Sequence, residues 1–225
     1  MKHWLSIVYL VLTGVFLQAQ SDSTQLNAAF RFADGVYYSF AALAANQPEH
    51  SWAGVDGEMI ELAGSSRVQI AGMGYQGAPL SQSPYAISLD GKPYLFVKVD
   101  SLLDYHEFAG LRKLGRYSYF EYERKVMRGR TMYAYNPANG LPFRQAYVER
   151  EEIQTTRVCL DMQTGRQFPL QRAELLRPLR GEPELIRAIN QLRVDDPQLE
   201  SKLLQAVVRY NERHPVFLPT RPFNR

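Results

Sequence analysis

An α+β fold is what this chain predicts: an antiparallel sheet or open barrel of successive hairpins, with C-terminal helices packed on it. Three observations carry that expectation. Short runs rich in Tyr, Phe, Val and Ile recur between turn residues up to Leu170. Asp90-Gly91 sits between two such runs, and Asp-Gly supplies the two positive-φ residues that a type I′ hairpin turn needs. From Gln171 onward the apolar spacing becomes helical. Strands first and helices last is the order of an α+β domain.

Taken in order, Phe30-Arg31-Phe32 alternates and predicts a short strand, Asp34-Gly35 a turn pair, and Val36-Tyr37-Tyr38 a second strand. Ser39 has the hydroxyl to cap a helix carrying Phe40, Leu43 and Ala44. Asn46 and Pro48 stop that helix, one by tolerating a left-handed end and the other by lacking an N–H. Trp52 to Leu62 is expected to fold about Asp56-Gly57, and the stretch from Gly72 to Gly77 to form a loop or irregular edge. Tyr85 to Val99 folds about Asp90-Gly91, pairing Leu89 with Lys92 and Ile87 with Tyr94. A hairpin from Gly115 to Asn136 is expected with Met127-Arg128-Gly129-Arg130 at its tip. Asn136-Pro137-Ala138-Asn139-Gly140 then reverses into Leu141 to Val148, and Arg157 to Leu170 folds about Gln163-Thr164-Gly165.

In the helical part, Leu175, Leu176 and Leu179 form a short stripe. Pro183 suits a first helical turn, with Leu185, Ile186, Ile189 and Leu192 on one face. Asp195-Asp196-Pro197 is expected to cap and open a last helix carrying Leu199, Leu203, Leu204, Val207 and Val208, ended by Asn211 and His214-Pro215.

The start of the chain has the three parts of a secretory leader. Lys2 is the charge of the first twenty residues, an apolar run extends from Trp4 to Leu17, and Ala19 offers a small residue for cleavage. A membrane anchor is the competing reading, but a spanning helix needs about 20 apolar residues, and this run ends sooner in Gln18, Gln20, Ser21 and Asp22. The expected organisation is a signal peptide at 1–19, a single α+β domain at 20–218 and an extended tail at 219–225. The product is expected to be exported, periplasmic or extracellular, with no transmembrane segment after cleavage. A formal net charge of +3 on 225 residues is too small to argue for nucleic acid. Cys159 is the sole cysteine, so there is no disulfide framework; flanked by Val158 and Leu160, it reads as a buried thiol.

No constellation compels catalysis, and no catalytic, cofactor or metal residue is identified. His106-Glu107 begins like a zinc-protease motif, but no second histidine follows on that face. Ser101, Asp104 and His106 are near in sequence, yet a triad is a matter of geometry. Glu121 and Glu123 alternate with Phe120 and Tyr122 as on a solvated strand face. The Gly72–Gly77 stretch lacks the Lys-Ser/Thr of a phosphate loop. The segment that points to function is basic and aromatic: Arg112, Arg116, Tyr117, Tyr119, Arg128, Arg130, Tyr133 and Tyr135 form the candidate interaction surface. Alternation puts Tyr117, Tyr119 and Glu121 on one face and Ser118, Phe120 and Tyr122 on the other. One aromatic set is expected in the core and the other exposed beside the arginines. Such a surface suits an anionic glycan, a lipid headgroup or an envelope protein; the plainer alternative is an exposed hairpin whose arginines are solvated or paired with Glu121 and Glu123.

Asp34-Gly35-Val36-Tyr37-Tyr38-Ser39-Phe40 with Asn46 and Pro48, Leu89-Asp90-Gly91-Lys92-Pro93-Tyr94, Leu114-Gly115-Arg116-Tyr117, Leu160-Asp161-Met162 with Gly165, and Tyr210-Asn211-Glu212-Arg213 together resemble uncharacterised exported proteins of Bacteroidota. The resemblance implies an envelope or secreted location and supplies no catalytic residues. Phe217 to Arg225 is too short for a C-terminal sorting domain of the kind such proteins carry. The expected function is that of a noncatalytic binding or structural protein of the periplasm or cell exterior. The alternative is a secreted hydrolase acting on cell-wall or dietary polymer.

Overall fold

The computed structural model describes residues 23–62, 65–100 and 104–220. The expected leader, its cut at Ala19-Gln20 and the tail residues 221–225 lie outside the described residues. The fold is α+β, mostly antiparallel sheet with a few C-terminal helices.

The first strand, β1 (Ser23–Gln25), pairs antiparallel with the last, β12 (Phe217–Pro219), and ties the two ends of the described chain together. Buried Asn46 reinforces that closure. Its carbonyl oxygen accepts the Ala33 N–H at 2.7 Å, and its amide donates to the Pro219 carbonyl at 3.2 Å.

Between these ends lies a seven-stranded antiparallel sheet curled into a half-barrel. Its strands are β2 (Gly35–Tyr37), β3 (Val55–Leu62), β4 (Arg67–Tyr75), β5 (Ala78–Pro79), β6 (Ala86–Leu89), β7 (Lys92–Asp100) and β8 (Tyr105–Gly110). The order is β2-β6-β7-β8-β4-β3, with β5 pairing β4. Asp90 and Gly91 make the β6–β7 turn at φ of 51° and 72°, and Leu89–Lys92 and Ile87–Tyr94 pair as the sequence predicts. Asp34 braces that turn, its carboxylate accepting the Gly91 N–H at 2.8 Å and the Ser88 hydroxyl at 3.1 Å. Ser39 caps α1 (Phe40–Ala44) by accepting the Ala42 N–H, and Asn46 takes the left-handed φ of 53° just after it.

Several sequence expectations are corrected. Phe30-Arg31-Phe32 forms no strand; Phe30 and Phe32 are buried, and the Phe32 N–H donates to the Gly91 carbonyl. Asp56-Gly57 is not a hairpin turn, because β3 runs straight through it to pair with β4. There Gly72 and Met73 of β4 face the single residue Gly57, a bulge in which Gly72 takes a φ of 58°. The glycines read as a loop therefore serve a bulged strand end, and the chain reverses at Gln76-Gly77.

The larger correction concerns the basic hairpin. Met127-Arg128-Gly129-Arg130 is no tip. The chain runs unbroken through β9 (Tyr117–Tyr135) and returns through β10 (Pro142–Asp161), with Gly129 in mid-strand opposite Glu149. The reversal is at Asn136–Gly140. The Asn136 side chain accepts the Ala138 N–H, Gly140 takes a φ of 67°, and the Gly140 N–H returns to the Asn136 carbonyl. A lone glycine between two arginines offers one flexible residue; the Asn-Pro-Ala-Asn-Gly run offers a full set of turn-formers. The two strands have 19 and 20 residues, so the ribbon is about 60 Å long at roughly 3.3 Å per residue. A further turn at Asp161–Arg166 leads into β11 (Gln167–Pro169), which pairs the base of β10.

The helices are α2 (Arg172–Leu176), α3 (Pro183–Gln191) and α4 (Leu199–Arg213). Pro183 opens α3 as expected. Asp195-Asp196-Pro197 does not open α4; Asp196 closes a turn by accepting the Gln198 and Leu199 N–H groups, and the helix begins after Gln198. Asn211 does not end α4 but lies within it, and its amide pairs both backbone groups of Tyr117, at 2.8 Å and 3.0 Å. That clasp fixes α4 to the start of the ribbon.

Strand alternation decides the layering. At the base of the ribbon, Phe120 and Leu160 face the half-barrel and join a core with Phe30, Phe32, Tyr37, Leu43 and Leu95. Tyr117, Tyr119 and Cys159 face the other way and join Leu175, Leu179, Ile189, Leu203 and Val207 of the helical region. The far face of the seven-stranded sheet has its own core, including Val68, Ile70, Ile87 and Phe108. The ribbon base is thus a middle layer between sheet and helices.

Candidate interaction surface

The ribbon changes character at Glu121 and Glu123. Below them it is covered on both faces; above them every residue of β9 from Glu123 except Val126 is exposed, and β10 is exposed from Pro142 to Ile153. Ion pairs mark the boundary. Glu121 accepts Arg112 at 2.7 Å, Arg157 at 3.2 Å and the Tyr119 hydroxyl at 2.5 Å. Burial, and then that bond to the carboxylate, push the Tyr119 phenol up to about 12. Arg67 joins Glu123 at 3.1 Å to buried Glu107 at 3.2 Å, and Lys98 approaches Glu107 at 3.6 Å. Asp161, nearly buried, accepts Arg116 at 2.7 Å together with the Gln163 N–H and the Thr164 hydroxyl.

This boundary separates the eight residues proposed from sequence. Tyr117 and Tyr119 are buried, and Arg112 and Arg116 are held by Glu121 and Asp161. Both aromatic sets at the base therefore serve cores, not one of the two: Tyr117 and Tyr119 meet the helices while Phe120 meets the sheet. The other four, Arg128, Arg130, Tyr133 and Tyr135, stand on the exposed ribbon.

Register sorts the exposed part into two chemically different faces. One carries Met127, Thr131, Tyr133 and Tyr135 with Tyr147, Glu149, Glu151 and Ile153. The other carries Arg124, Arg128 and Arg130 with Arg144 and Arg150 across from them, and Glu152 as its carboxylate. Arg128 lies directly opposite Arg150 and leans to Glu152 at 3.2 Å, while Arg124 donates to Gln154. Like charges directly opposite on a strand pair are destabilising. Gly129 leaves space that the Tyr147 ring fills from across the ribbon, so any Cβ there collides with that ring. An aromatic laid over a strand glycine restores the packing that the glycine lacks.

Sequence reasoning missed Leu141, Phe143, Arg144, Tyr147 and Arg150 because it broke the ribbon at Gly129. The signal that finds them is the Asn136–Gly140 turn read as the sole tip, which brings 142–153 back beside 124–135.

Beside Arg112 a cleft of about 500 Å³ opens, lined among others by Arg31, Ser66, Lys92, Tyr94 and Lys113 and, among the described residues, by no carboxylate. Among the described residues no group of three or more His, Cys, Asp or Glu could hold a metal ion, and no helix is long and apolar enough to cross a membrane. Cys159 is buried and free, its thiol pushed up to about 12 by burial. Comparison of the chain with protein-family models, curated proteins and solved structures finds no match.

Proposed function

We propose that this chain is a noncatalytic binding protein, exported to the periplasm or cell exterior, that works through its β-ribbon as an interaction arm. The observation that carries the reading is the uncovered outer ribbon. Leu141, Phe143, Tyr147 and Ile153 are each more than 60% exposed on it. A two-stranded hairpin is marginally stable alone in water, and an uncovered ribbon rich in large exposed apolar side chains invites a partner. The arginine face supports the same reading, since opposed like charges weaken the free ribbon and an anionic partner offsets them. The base buried on both sides supplies the rigid mount that such an arm needs.

The test is an arm-shortened protein in which residues 125–153 are replaced by an Asn-Gly turn. Both cores flanking the base remain, so circular dichroism and the thermal midpoint should stay close to those of the full chain. Binding to an envelope fraction, and any self-association in sedimentation velocity, should be lost. A shortened protein that keeps every association of the full chain sinks the proposal. Export is tested separately by intact mass after expression in a Gram-negative host. Cleavage at Ala19-Gln20, or one residue away, is expected, and a mature species retaining Trp4 to Leu17 contradicts it.

A further inference from the structure

We infer that the outer third of the arm is a membrane-interface anchor that seats in the headgroup layer of an anionic lipid surface. This rests on the arm being the interaction element and names what it meets. From Gly129 to Val148 the chain contains no Asp or Glu, whereas Glu123, Glu149, Glu151 and Glu152 all lie closer to the body. The charges of that segment are Arg130 and Arg144. Around them Tyr133, Tyr135, Leu141, Phe143 and Tyr147 are each at least 50% exposed. Tyrosines with an apolar body and a wet tip concentrate at headgroup level, cations are drawn to anionic headgroups, and carboxylates are repelled by them.

Geometry separates a lipid surface from a protein partner. The apolar groups are not confined to one face. Met132 and Val148 stand on the arginine face, Tyr133 and Tyr147 on the opposite one, and Leu141 follows the turn at the end. A protein docked on one face leaves the other face wet. A lipid interface entered tip-first surrounds both. The depth is limited as well. Arg130 to Tyr135 extends about 17 Å at roughly 3.3 Å per residue, while a membrane-crossing strand needs about 9–11 residues. Among the described residues the outer edges of β9 and β10 at the tip pair with no third strand, and open edges cannot enter hydrocarbon. The tip therefore stops at the headgroup–acyl boundary, about 5–10 Å deep. Arg124, Arg128 and Arg150, further back on one face, meet the same negative surface when the arm tilts toward it.

Vesicle flotation of the full chain tests this. The protein should float with equimolar phosphatidylglycerol and phosphatidylcholine, not with phosphatidylcholine alone, and high salt should weaken the binding. Arg130→Gln with Arg144→Gln should reduce affinity about fivefold for each arginine. A Leu141→Trp probe should blue-shift on the anionic vesicles beyond any change in the parent protein, and adding Tyr135→Ser with Phe143→Ser should abolish that shift. All five positions are exposed, and circular dichroism checks that each variant is folded. Absence of flotation with anionic vesicles, or flotation that none of these changes alters, overturns the inference. If vesicle binding is absent yet arm-dependent self-association or protein binding persists, the lipid assignment fails and the arm reading stands. If the arm-shortened protein matches the full chain in every assay, both fail.

Discussion

The two halves of the long ribbon share strands, register and alternation, yet they are opposite kinds of structure. At the base, Phe120 is 2% exposed and Tyr119 4%; on the arm, Phe143 and Tyr147 are each 68% exposed. At the base, carboxylates such as Glu121 and Asp161 each hold several donors. On the arm, ion pairs such as Lys125–Glu151 at 2.8 Å stand in water, and on one face Arg124, Arg128, Arg130, Arg144 and Arg150 outnumber the carboxylate Glu152. A strand pair is an indifferent scaffold: what lies over each face decides whether a tyrosine is core or contact surface.

The largest effect that distinguishes the halves is a paired truncation. Phe120→Ala should cost about 3–5 kcal/mol, as for a buried aromatic, and Phe143→Ala should fall within about 0.5 kcal/mol. Urea unfolding checks both, and equal costs would erase the distinction between mount and arm. Ion pairs should follow the same division. Asp161→Ala removes a nearly buried acceptor of charge-assisted bonds and should cost about 2–3 kcal/mol, against less than about 0.5 kcal/mol for Glu151→Ala on the arm. Hydrogen exchange should map the boundary amide by amide, with slow exchange from Tyr117 to Phe120 and fast exchange at the tip.

Cys159 reports on the base alone. Its thiol, raised by burial to about 12, should react slowly with Ellman's reagent from pH 7 to 9 and fully after denaturation. Shortening the arm should leave that rate unchanged; acceleration would mean that the arm guards the core. The smallest expected effect is at His106, away from the ribbon. Its pKa is lowered from 6.5 chiefly by burial, with Asp104 opposing, and its Nδ1 is buried without a hydrogen-bond partner. The unfolded chain thus binds the proton more readily than the folded one, so this contribution is intact above pH 6.5 and is lost as pH falls through that value. The thermal midpoint should drop on acidification, and His106→Gln should flatten part of the drop.

Much of the architecture is legible locally. Asp90-Gly91, the Ser39 cap, the left-handed Asn46 and Pro183 at the start of α3 all follow from φ preferences and hydrogen bonds within a few residues. The candidate surface was half legible. Arg128, Arg130, Tyr133 and Tyr135 are on the arm, but Tyr117 and Tyr119 are core and Arg112 and Arg116 are paired. Gly129 looked like a turn because nothing in its neighbours reveals that Tyr147, eighteen positions on, lies across it.

By itself, then, the sequence determined an α+β chain, its strongest turns and caps, and which side chains share a strand face, because these depend on backbone geometry over a few residues. Tertiary structure decided which faces are covered. The base of the ribbon is buried twice because a half-barrel and a helical region close on it from opposite sides, with Asn211 reaching back 94 positions to clasp Tyr117. Alternation assigns a residue to a face but carries no information about what distant segment will cover that face, so core tyrosine and arm tyrosine read alike until the chain is folded.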